Sequence, residues 1–328
     1  MSQPLVSIVL PTYKRAHLLA QAMQSVLDQT YANLELIIVD DNSPDNTAEV
    51  VSAFNDPRIQ YMKNDPNLKL PRALNRGFSL ARGDYLTWTS DDNLLAPTAI
   101  EKMVARLGKG DCDFVYADYW LFSEQDANGL PMDIHHDKLP DRLQLERGNH
   151  IGACFMYTRK LYEQVGDYDP ELFLVEDYDY FIRAARAFQF CHISEPLYYF
   201  RRDDDTLYLS RFAEVKASDI LVRFKNELLD ENETLALMVS MLLRNPTKIK
   251  VPFVGLVLGL FQHFGRWPSR IVINLTSKYI RIIMKIKIFN LLAGFRRGEL
   301  SFREARDALL VIMQNVGEIK HVAVAKML

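Results

Sequence analysis

Short apolar runs alternate along the chain with stretches whose apolar residues recur every three or four positions. Leu5–Leu10 (LVSIVL) and Leu34–Val39 (LELIIV) are rich in β-branched side chains, the composition of a parallel strand covered on both faces. Between them, within His17–Gln29, Leu18, Leu19, Ala22, Met23, Val26 and Leu27 fall at helical spacing, so strand, helix and strand imply a right-handed crossover. The alternation continues with helices predicted at Thr47–Phe54, Pro71–Ala81 and Pro97–Leu107, and strands at Arg58–Met62, Tyr85–Thr89 and Cys112–Tyr116. Such an order predicts an α/β fold built on an open, mostly parallel sheet. Glu124–Asn149 has no periodicity and reads as a long surface excursion; His150–Tyr157 returns to strand and Asp177–Phe188 to helix. Leu197–Phe200 is predicted to be a last short strand, and from Thr206 the pattern is helical. Two domains are therefore expected, 1–205 and 206–328.

Charge supports that division. The chain of 328 residues carries a net charge of −3, but residues 1–233 contribute −14 and residues 234–328 contribute +11. No acidic residue lies between Glu233 and Glu299. Ile249–Phe264 is apolar but broken by glycines, Pro252 and Gln262, and falls short of the roughly 18–20 residues that span a bilayer. Within Ser269–Arg297, Ile271, Leu275, Tyr279, Ile282, Ile286 and Phe289 follow helical spacing, with Arg270, Lys278, Arg281 and Lys285 largely on another face. A basic amphipathic helix of this kind either lies on an anionic membrane surface or docks its apolar side on the α/β core. The N-terminal apolar run has no basic segment before it and stops at Pro11, so the expectation is a cytoplasmic chain, peripheral on the inner face of the cell membrane. Cys112, Cys154 and Cys191 form no CxxC pair and read as small buried side chains in a reducing compartment, not as metal ligands or disulfides.

The candidate chemistry is carboxylate chemistry. In an open α/β sheet, ligands bind beyond the carboxyl ends of the strands. Asp40-Asp41-Asn42 follows one predicted strand, Asp91-Asp92-Asn93 follows another, and Glu176-Asp177 opens a helix. Each cluster alone is an ordinary turn or cap. Three of them at one sheet edge repel one another and suit a divalent cation with a phosphate-bearing ligand. There is no GxxxxGK[ST] loop and no GxGxxG, which removes support from ATP-type and dinucleotide readings. Glu176 is placed to raise the pKa of Asp177 by like-charge repulsion. His135-His136 reads as a solvated loop pair, and Trp88 as core. Arg201-Arg202 either reaches a diphosphate or pairs with Asp203–Asp205.

The segments VSIVLPTYKR, LELIIVDDNSPDNT, ARGDYLTWTSDDN and VEDYDYFIRAAR resemble, in order and spacing, glycosyltransferase family 2, and in their DDNS and SDDN wording its spore-coat polysaccharide transferases. The resemblance covers roughly residues 4–210 and implies a GT-A (Rossmann-like) fold with helices on both faces of the sheet, followed here by a helical C-terminal domain. It implies that Pro11, Tyr13 and Asp41 hold a nucleotide base. Asp91 and Asp92 would bind Mn²⁺ or Mg²⁺ and the sugar diphosphate, and Asp177 would be the general base. Arg72 and Asn75 are weaker candidates for donor contact. Many members have an aspartate where this chain has Thr89. The implied activity is inverting transfer of a hexose-like sugar from a nucleoside diphosphate, expected to be UDP, to a glycan or lipid-linked acceptor in polysaccharide assembly, with no nucleic-acid partner. A nucleotidyltransferase would show a Gly-rich N-terminal loop, which VLPTYKR lacks. Retention of Asp91, Asp92 and Asp177 together argues against a catalytically silent sugar-nucleotide binder.

Overall fold

The computed structural model describes residues 3–127, 129–202, 206, 210–244 and 285–312. The chain divides into two compact units, Met1–Arg211 and Phe212–Leu328.

The first unit is an α/β sheet flanked by helices. Its strands are β1 (Val6–Thr12), β2 (Leu34–Asp40), β3 (Ile59–Lys63), β4 (Tyr85–Trp88), β5 (Leu94–Leu95) and β6 (Phe114–Phe122), then β7 (Glu124–Gln125), β8 (Pro131–Met132), β9 (His135–Asp137), β10 (Phe155–Thr158) and β11 (Phe190–Arg201). The helices of this unit are α1 (Ala16–Leu27), α2 (Thr47–Ser52), α3 (Leu70–Phe78), α4 (Ala99–Leu107), α5 (Arg159–Val165) and α6 (Glu176–Ala185). The main sheet runs β3-β2-β1-β4-β10-β6-β11-β5, with β9 also paired to β6. β3, β2, β1 and β4 are mutually parallel, β10 runs antiparallel to both β4 and β6, and β11 is parallel to β6. The expected open, mostly parallel sheet is therefore present.

β1 and β2 are buried at every position, which accounts for their unbroken apolar sequences. Two of their four polar residues, Ser7 and Glu35, brace them. Ser7 Oγ donates to Glu35 Oε1 at 2.6 Å, and Arg82 closes on the same carboxylate through its backbone N–H at 2.7 Å and its Nη2 at 2.7 Å. Burial pushes the Glu35 carboxyl up, but the hydrogen bonds from Ser7 and Arg82 outweigh it and hold it below the ordinary range. Gly83 donates its N–H to Ser7 Oγ at 2.8 Å, so the chain enters β4 pressed against β1.

α6 is positioned by aromatic packing. Phe181 meets Phe114 and Phe155 edge-on, and Tyr180 stacks on Tyr168 at 4.4 Å. Phe114 in turn stacks on Phe190 at 4.2 Å, joining β6 to β11.

Several expectations need correction. Cys112 and Cys191 form a disulfide with Cα atoms 6.1 Å apart, while Cys154 is free and buried as expected. The parallel pairing of β6 with β11 sets Cys191 opposite Val115, so two cysteines separated by 79 residues become neighbours. The last strand is twelve residues long, not four; register shifts around Pro196 interrupt the apolar period that would have revealed it. The strand expected over His150–Tyr157 begins only at Phe155. The excursion 124–149 contains the β7–β8 hairpin and β9. α5 has no counterpart among the expected elements. It is bracketed by Thr158, whose side chain accepts from the Leu161 N–H, and by Gly166 at φ +81°.

The second unit is helical where it is described. α7 (Phe212–Lys225) buries Ala217, Ile220, Leu221 and Val222, and α8 (Glu231–Arg244) follows. Residues 285–296 and 302–312 are also helical. Phe295 joins the unit's core through Phe224 and Phe302, with ring centroids 6.3 and 6.2 Å away. Ile249–Phe264 and the part of the basic amphipathic segment before Lys285 lie outside the described residues. Within the described part, Ile288 and Leu292 are buried, whereas Ile286 and Phe289 are exposed. No helix among the described residues is long and apolar enough to cross a membrane.

A Cβ built on Gly83 would stand 2.6 Å from the Ser7 nitrogen and 2.8 Å from the Leu5 carbonyl oxygen, both main-chain atoms that cannot rotate away. Gly83→Ala should therefore cost about 1–3 kcal/mol by forcing β1 and β4 apart. Urea unfolding followed by circular dichroism checks this, and an unchanged midpoint would contradict it.

Candidate active site

The C-terminal ends of β1, β2 and β4 bring the first two carboxylate clusters to one edge of the sheet, and β11 ends beside them. Here the chain changes neighbour direction: β4 has parallel β1 on one side and antiparallel β10 on the other. The strand order also reverses between β1 and β4, the position beyond whose strand ends open α/β sheets bind ligands in a crevice.

Asp91 and Asp92 lie just past β4. Asp91 is 7% exposed, and its Oδ2 accepts from Thr12 Oγ1 at 2.8 Å. It also accepts from the Tyr13 backbone N–H. The Arg15 guanidinium contacts Asp92 directly and lies 3.7 Å from Asp91 Oδ1. Arg201, at the end of β11, places Nε 3.3 Å from the Asp92 carbonyl oxygen and its guanidinium over the Phe122 ring at 4.8 Å. Its backbone N–H donates to Asn93 Oδ1 at 2.8 Å. Burial, and then the charge of Asp92, raises the pKa of Asp91, with Arg15 and Thr12 pulling it back. Burial likewise raises that of Asp92 against Arg15. Two buried carboxyl groups held above their ordinary range form a site that gains from a cation. Among the described residues they are not part of any group of three ligating side chains. A hard divalent ion held by one or two carboxylates completes its shell with phosphate oxygens and water, so this donor set fits Mn²⁺ or Mg²⁺ bound together with a diphosphate.

Asp41 is 5% exposed, and its carboxylate accepts from Asn64 Nδ2 at 2.8 Å and from the N–H groups of Leu68 and Lys69 at 2.7 and 2.9 Å. Its own N–H donates to the Thr12 carbonyl at 2.9 Å, tying it to the end of β1. Asp41 thus fixes the loop 64–69 at the rim of the crevice and holds Lys69 at φ +71°. Asp40 is fully buried and accepts from Tyr61 Oη and the Ser43 N–H. Pro11 is buried within β1, whereas Tyr13, just past it, is 41% exposed, with the Lys14 ammonium over its ring at 5.1 Å. Lys14 at φ +59° and Asn42 at φ +66° mark strained turns after β1 and β2, a feature concentrated at functional sites. Thr89 is turned inward, 2.7 Å from the Tyr198 hydroxyl.

Arg72 and Asp177 belong to the neighbouring elements α3 and α6. Arg72 Nη2 lies 3.3 Å from Glu171 Oε1 in the segment leading to α6. Asn75 spends both ends of its amide on the Tyr168 backbone, at 2.8 and 2.9 Å, so it clamps α3 to that segment and is withdrawn as a donor contact. Asp177 accepts from Asn149 Nδ2 at 3.0 Å and from the Tyr178 N–H at 2.7 Å. Of the pair Glu176–Asp177, Glu176 is the buried member. Glu176 is 4% exposed, and its own carboxyl is pushed up by burial first and by Asp177 second. It accepts from the N–H of Leu174, which sits at φ +85°.

His135 is exposed, as expected of a solvated pair, but both histidines lie in β9 and His136 is not a free loop side chain. His136 Nε2 lies 2.9 Å from the buried Asp118, which also lies 2.7 Å from His192 Nε2 and accepts from the Leu139 N–H. The cluster pins the excursion onto β6 and β11. Sequence reasoning gave no role to Arg15, Asn64 or Asn149, which respectively contact Asp92, Asp41 and Asp177. For Arg15 the available signal was a cation directly before a helix whose first turn carries no acid. The other two are asparagines in loops and left no such sign.

The sequence model of the family described as Glycosyl transferase family 2 matches residues 7–166. A putative colanic acid biosynthesis glycosyl transferase, WcaA of Escherichia coli, is 34% identical over 189 residues, covering 56% of this chain and 67% of that protein. The Escherichia coli UDP-Glc:alpha-D-GlcNAc-diphosphoundecaprenol beta-1,3-glucosyltransferase WfgD is 32% identical over 142 residues, 42% of this chain and 56% of that one. The chain spans from 34% to 42% of the length of other curated relatives that it matches. Among solved structures, the mannosyltransferase PcManGT of Pyrobaculum calidifontis in complex with GDP-Man and Mn²⁺ superposes with a TM-score of 0.55 at 15% identity, covering 95% of this chain and 87% of that one. At that identity the likeness concerns the fold, which is GT-A.

The raised pKa of Glu176 has a stability consequence with a definite sign. From 4.5 upward the unfolded chain loses this proton while the folded chain keeps it, so its contribution is full below that pH and is lost as pH rises toward the folded value. Glu176→Gln should therefore gain stability relative to wild type between about pH 5.5 and about pH 8. Urea unfolding across that range is the measurement; a difference independent of pH would show that Glu176 is ionised in the fold.

Proposed function

The chain belongs to glycosyltransferase family 2, and from that premise we propose that it transfers a sugar with inversion from a nucleoside diphosphate, UDP in the first instance, to a glycan or lipid-linked acceptor in polysaccharide assembly. The observation that carries this reading is the Asp91–Asp92 pair at the end of β4, Asp91 buried and the Asp92 side chain 9% exposed, beside exposed Tyr13. Tyr13 would stack on the base, Pro11 and Asp41 would frame it, and Arg72 would meet the donor from α3. Asp91 and Asp92 would hold Mn²⁺ or Mg²⁺, which when bound supplies positive charge to the departing diphosphate. UDP is favoured because WfgD is named for a UDP-Glc donor and a diphosphoundecaprenol acceptor; the name of PcManGT records GDP-Man with Mn²⁺.

The reaction needs one base on the acceptor side. The acceptor hydroxyl oxygen forms a bond to the anomeric carbon, the bond from that carbon to the diphosphate oxygen breaks with its electron pair leaving on the diphosphate, and the hydroxyl proton passes to Asp177. Asn149 and the Tyr178 N–H orient that carboxylate. Retention by double displacement needs a second, nucleophilic carboxylate. Glu176 is a poor candidate for that role, because burial favours its neutral form and its Oε2 is bonded to the Leu174 N–H.

The test is nucleoside diphosphate release from a panel of sugar nucleotides in Mn²⁺, with and without lipid-linked acceptors. Asp177→Asn should lower transfer by about 10²–10⁴ while donor affinity stays within a few fold. Asp91→Ala and Asp92→Ala should weaken donor binding in Mn²⁺. Transfer by Asp177→Asn at the wild-type rate, or full activity in excess EDTA, would remove the corresponding part of the reading.

Peripheral membrane association is part of the same proposal and rests on the acid-free stretch 234–298, with eleven Lys and Arg, and on exposed Ile286 and Phe289. Each Lys or Arg near an anionic leaflet contributes on the order of 1 kcal/mol, screened by salt. The protein should sediment with anionic vesicles at low salt, less at high salt and weakly with neutral vesicles, and the triple change Lys278→Glu, Arg281→Glu, Lys285→Glu should release it. Equal recovery in the supernatant under all conditions would leave these residues to a helical subdomain docked on the core.

A further inference from the structure

Arg15 is the residue immediately before α1 and follows Lys14 at φ +59°. A helix N-terminus is a poor place for a cation, because the aligned peptide dipoles present positive charge there. The helix does not draw on Arg15 side-chain chemistry; Asp45 Oδ2 accepts from the Ala16 N–H at 3.1 Å instead. The guanidinium turns to the carboxylates, where its Nη1 contacts Asp92 Oδ2 and lies 3.7 Å from Asp91 Oδ1. A single nitrogen thus serves both side chains, each 9% exposed, and the Arg15 side chain is itself only 25% exposed. Arg201, by contrast, addresses the main-chain oxygen of Asp92.

Asp91 and Asp92 are also the carboxylates assigned to the divalent cation. Two cations competing for one buried pair repel each other strongly at reduced dielectric, and the pair cannot satisfy both. We infer that Arg15 is a built-in competitor of the metal that yields the carboxylates only when a diphosphate offers its guanidinium anionic oxygens instead. The inference rests on the reading of Asp91 and Asp92 as metal carboxylates. Arginine suits both positions: its planar fork pairs with a carboxylate and equally with phosphate oxygens. Metal and nucleotide then bind with positive coupling, each tightening the other by the same factor. Arg15 would be a positioning residue that makes the cation site conditional on the donor.

The test uses the full chain and Mn²⁺ titrations read by the paramagnetic signal of free Mn²⁺, with and without UDP, on wild type, Arg15→Gln and Arg15→Lys. Wild type should bind Mn²⁺ weakly alone and more tightly with UDP. Arg15→Gln should bind Mn²⁺ alone about tenfold more tightly than wild type and gain less from UDP, because the competing charge is gone. Arg15→Lys keeps the charge without the fork and should stay near wild type for Mn²⁺ alone while gaining less from UDP. Equal or weaker Mn²⁺ binding by a folded Arg15→Gln overturns the inference and leaves the metal reading intact. If Arg15→Gln does not fold, Arg15→Lys with wild-type coupling between Mn²⁺ and UDP overturns it. If Mn²⁺ binds none of the three proteins even with saturating UDP, the metal reading fails and this inference falls with it.

Discussion

Two adjacent carboxylates are buried together at the end of β4, and the surroundings of the crevice follow from making that tolerable. Asp91 and Asp92 lose most of their hydration and repel each other at short range. The compensation comes from the ends of separate strands: a hydroxyl and a backbone N–H from Thr12 and Tyr13 beyond β1, and a guanidinium from Arg15. From β11 comes Arg201, held against Asn93 and the Asp92 main chain. Thr12, Tyr13 and Arg15 on one side and Arg201 on the other are far from Asp91 and Asp92 in sequence, so the site exists only when β1, β4 and β11 are in place. β1 and the entry to β4 are braced by buried Ser7 and Glu35 with the exposed Arg82 closing on them, and by a glycine where no side chain fits.

The remaining carboxylate clusters obey the same rule of unequal division. In each, one member faces inward and is used by the fold, and the other is nearer the crevice. Asp40 anchors Tyr61 and Ser43, while Asp41 shapes the rim through loop 64–69. Glu176 is buried and driven toward its neutral form, while Asp177 is bonded to Asn149 across 28 residues of sequence. In the second pair, desolvation raises the Glu176 carboxyl first and the charge of Asp177 adds to it, so burial, which the sequence does not display, outweighs the like-charge repulsion that proximity suggests.

What could be read from the sequence was what local pattern encodes. β1, α1, β2 and α4 are visible because their apolar periods are uninterrupted, and the positions of Asp91, Asp92 and Asp177 follow from strand ends and a helix start. What could not be read depends on pairing between distant segments. The Cys112–Cys191 bond requires knowing that β6 and β11 are parallel neighbours. β11 itself is disguised by Pro196 and two register shifts. His136 looked solvated because Asp118, its buried partner, lies inside a strand that the apolar pattern ended at Tyr116.

The family match ends at residue 166, before α6, and so covers Tyr13, Asp41, Asp91 and Asp92 but not the carboxylate proposed as the base. Beyond that point the connection is made by the chain's own contacts. The excursion is pinned to β6 by His136 and Leu139 on Asp118, to α6 by the Tyr178 hydroxyl on the Leu145 carbonyl, and to Asp177 by Asn149. α3 is joined to the segment before α6 by Asn75 on Tyr168 and by Arg72 on Glu171. Two different parts of the chain therefore meet around the carboxylate proposed as the base, one tied to α3 through Asn75 and Arg72 and the other the long excursion with Asn149. Under the proposed function, an acceptor hydroxyl that bonds Asp177 has to share or replace the hydrogen bond from Asn149, which reaches α6 through an excursion that has no sequence period of its own.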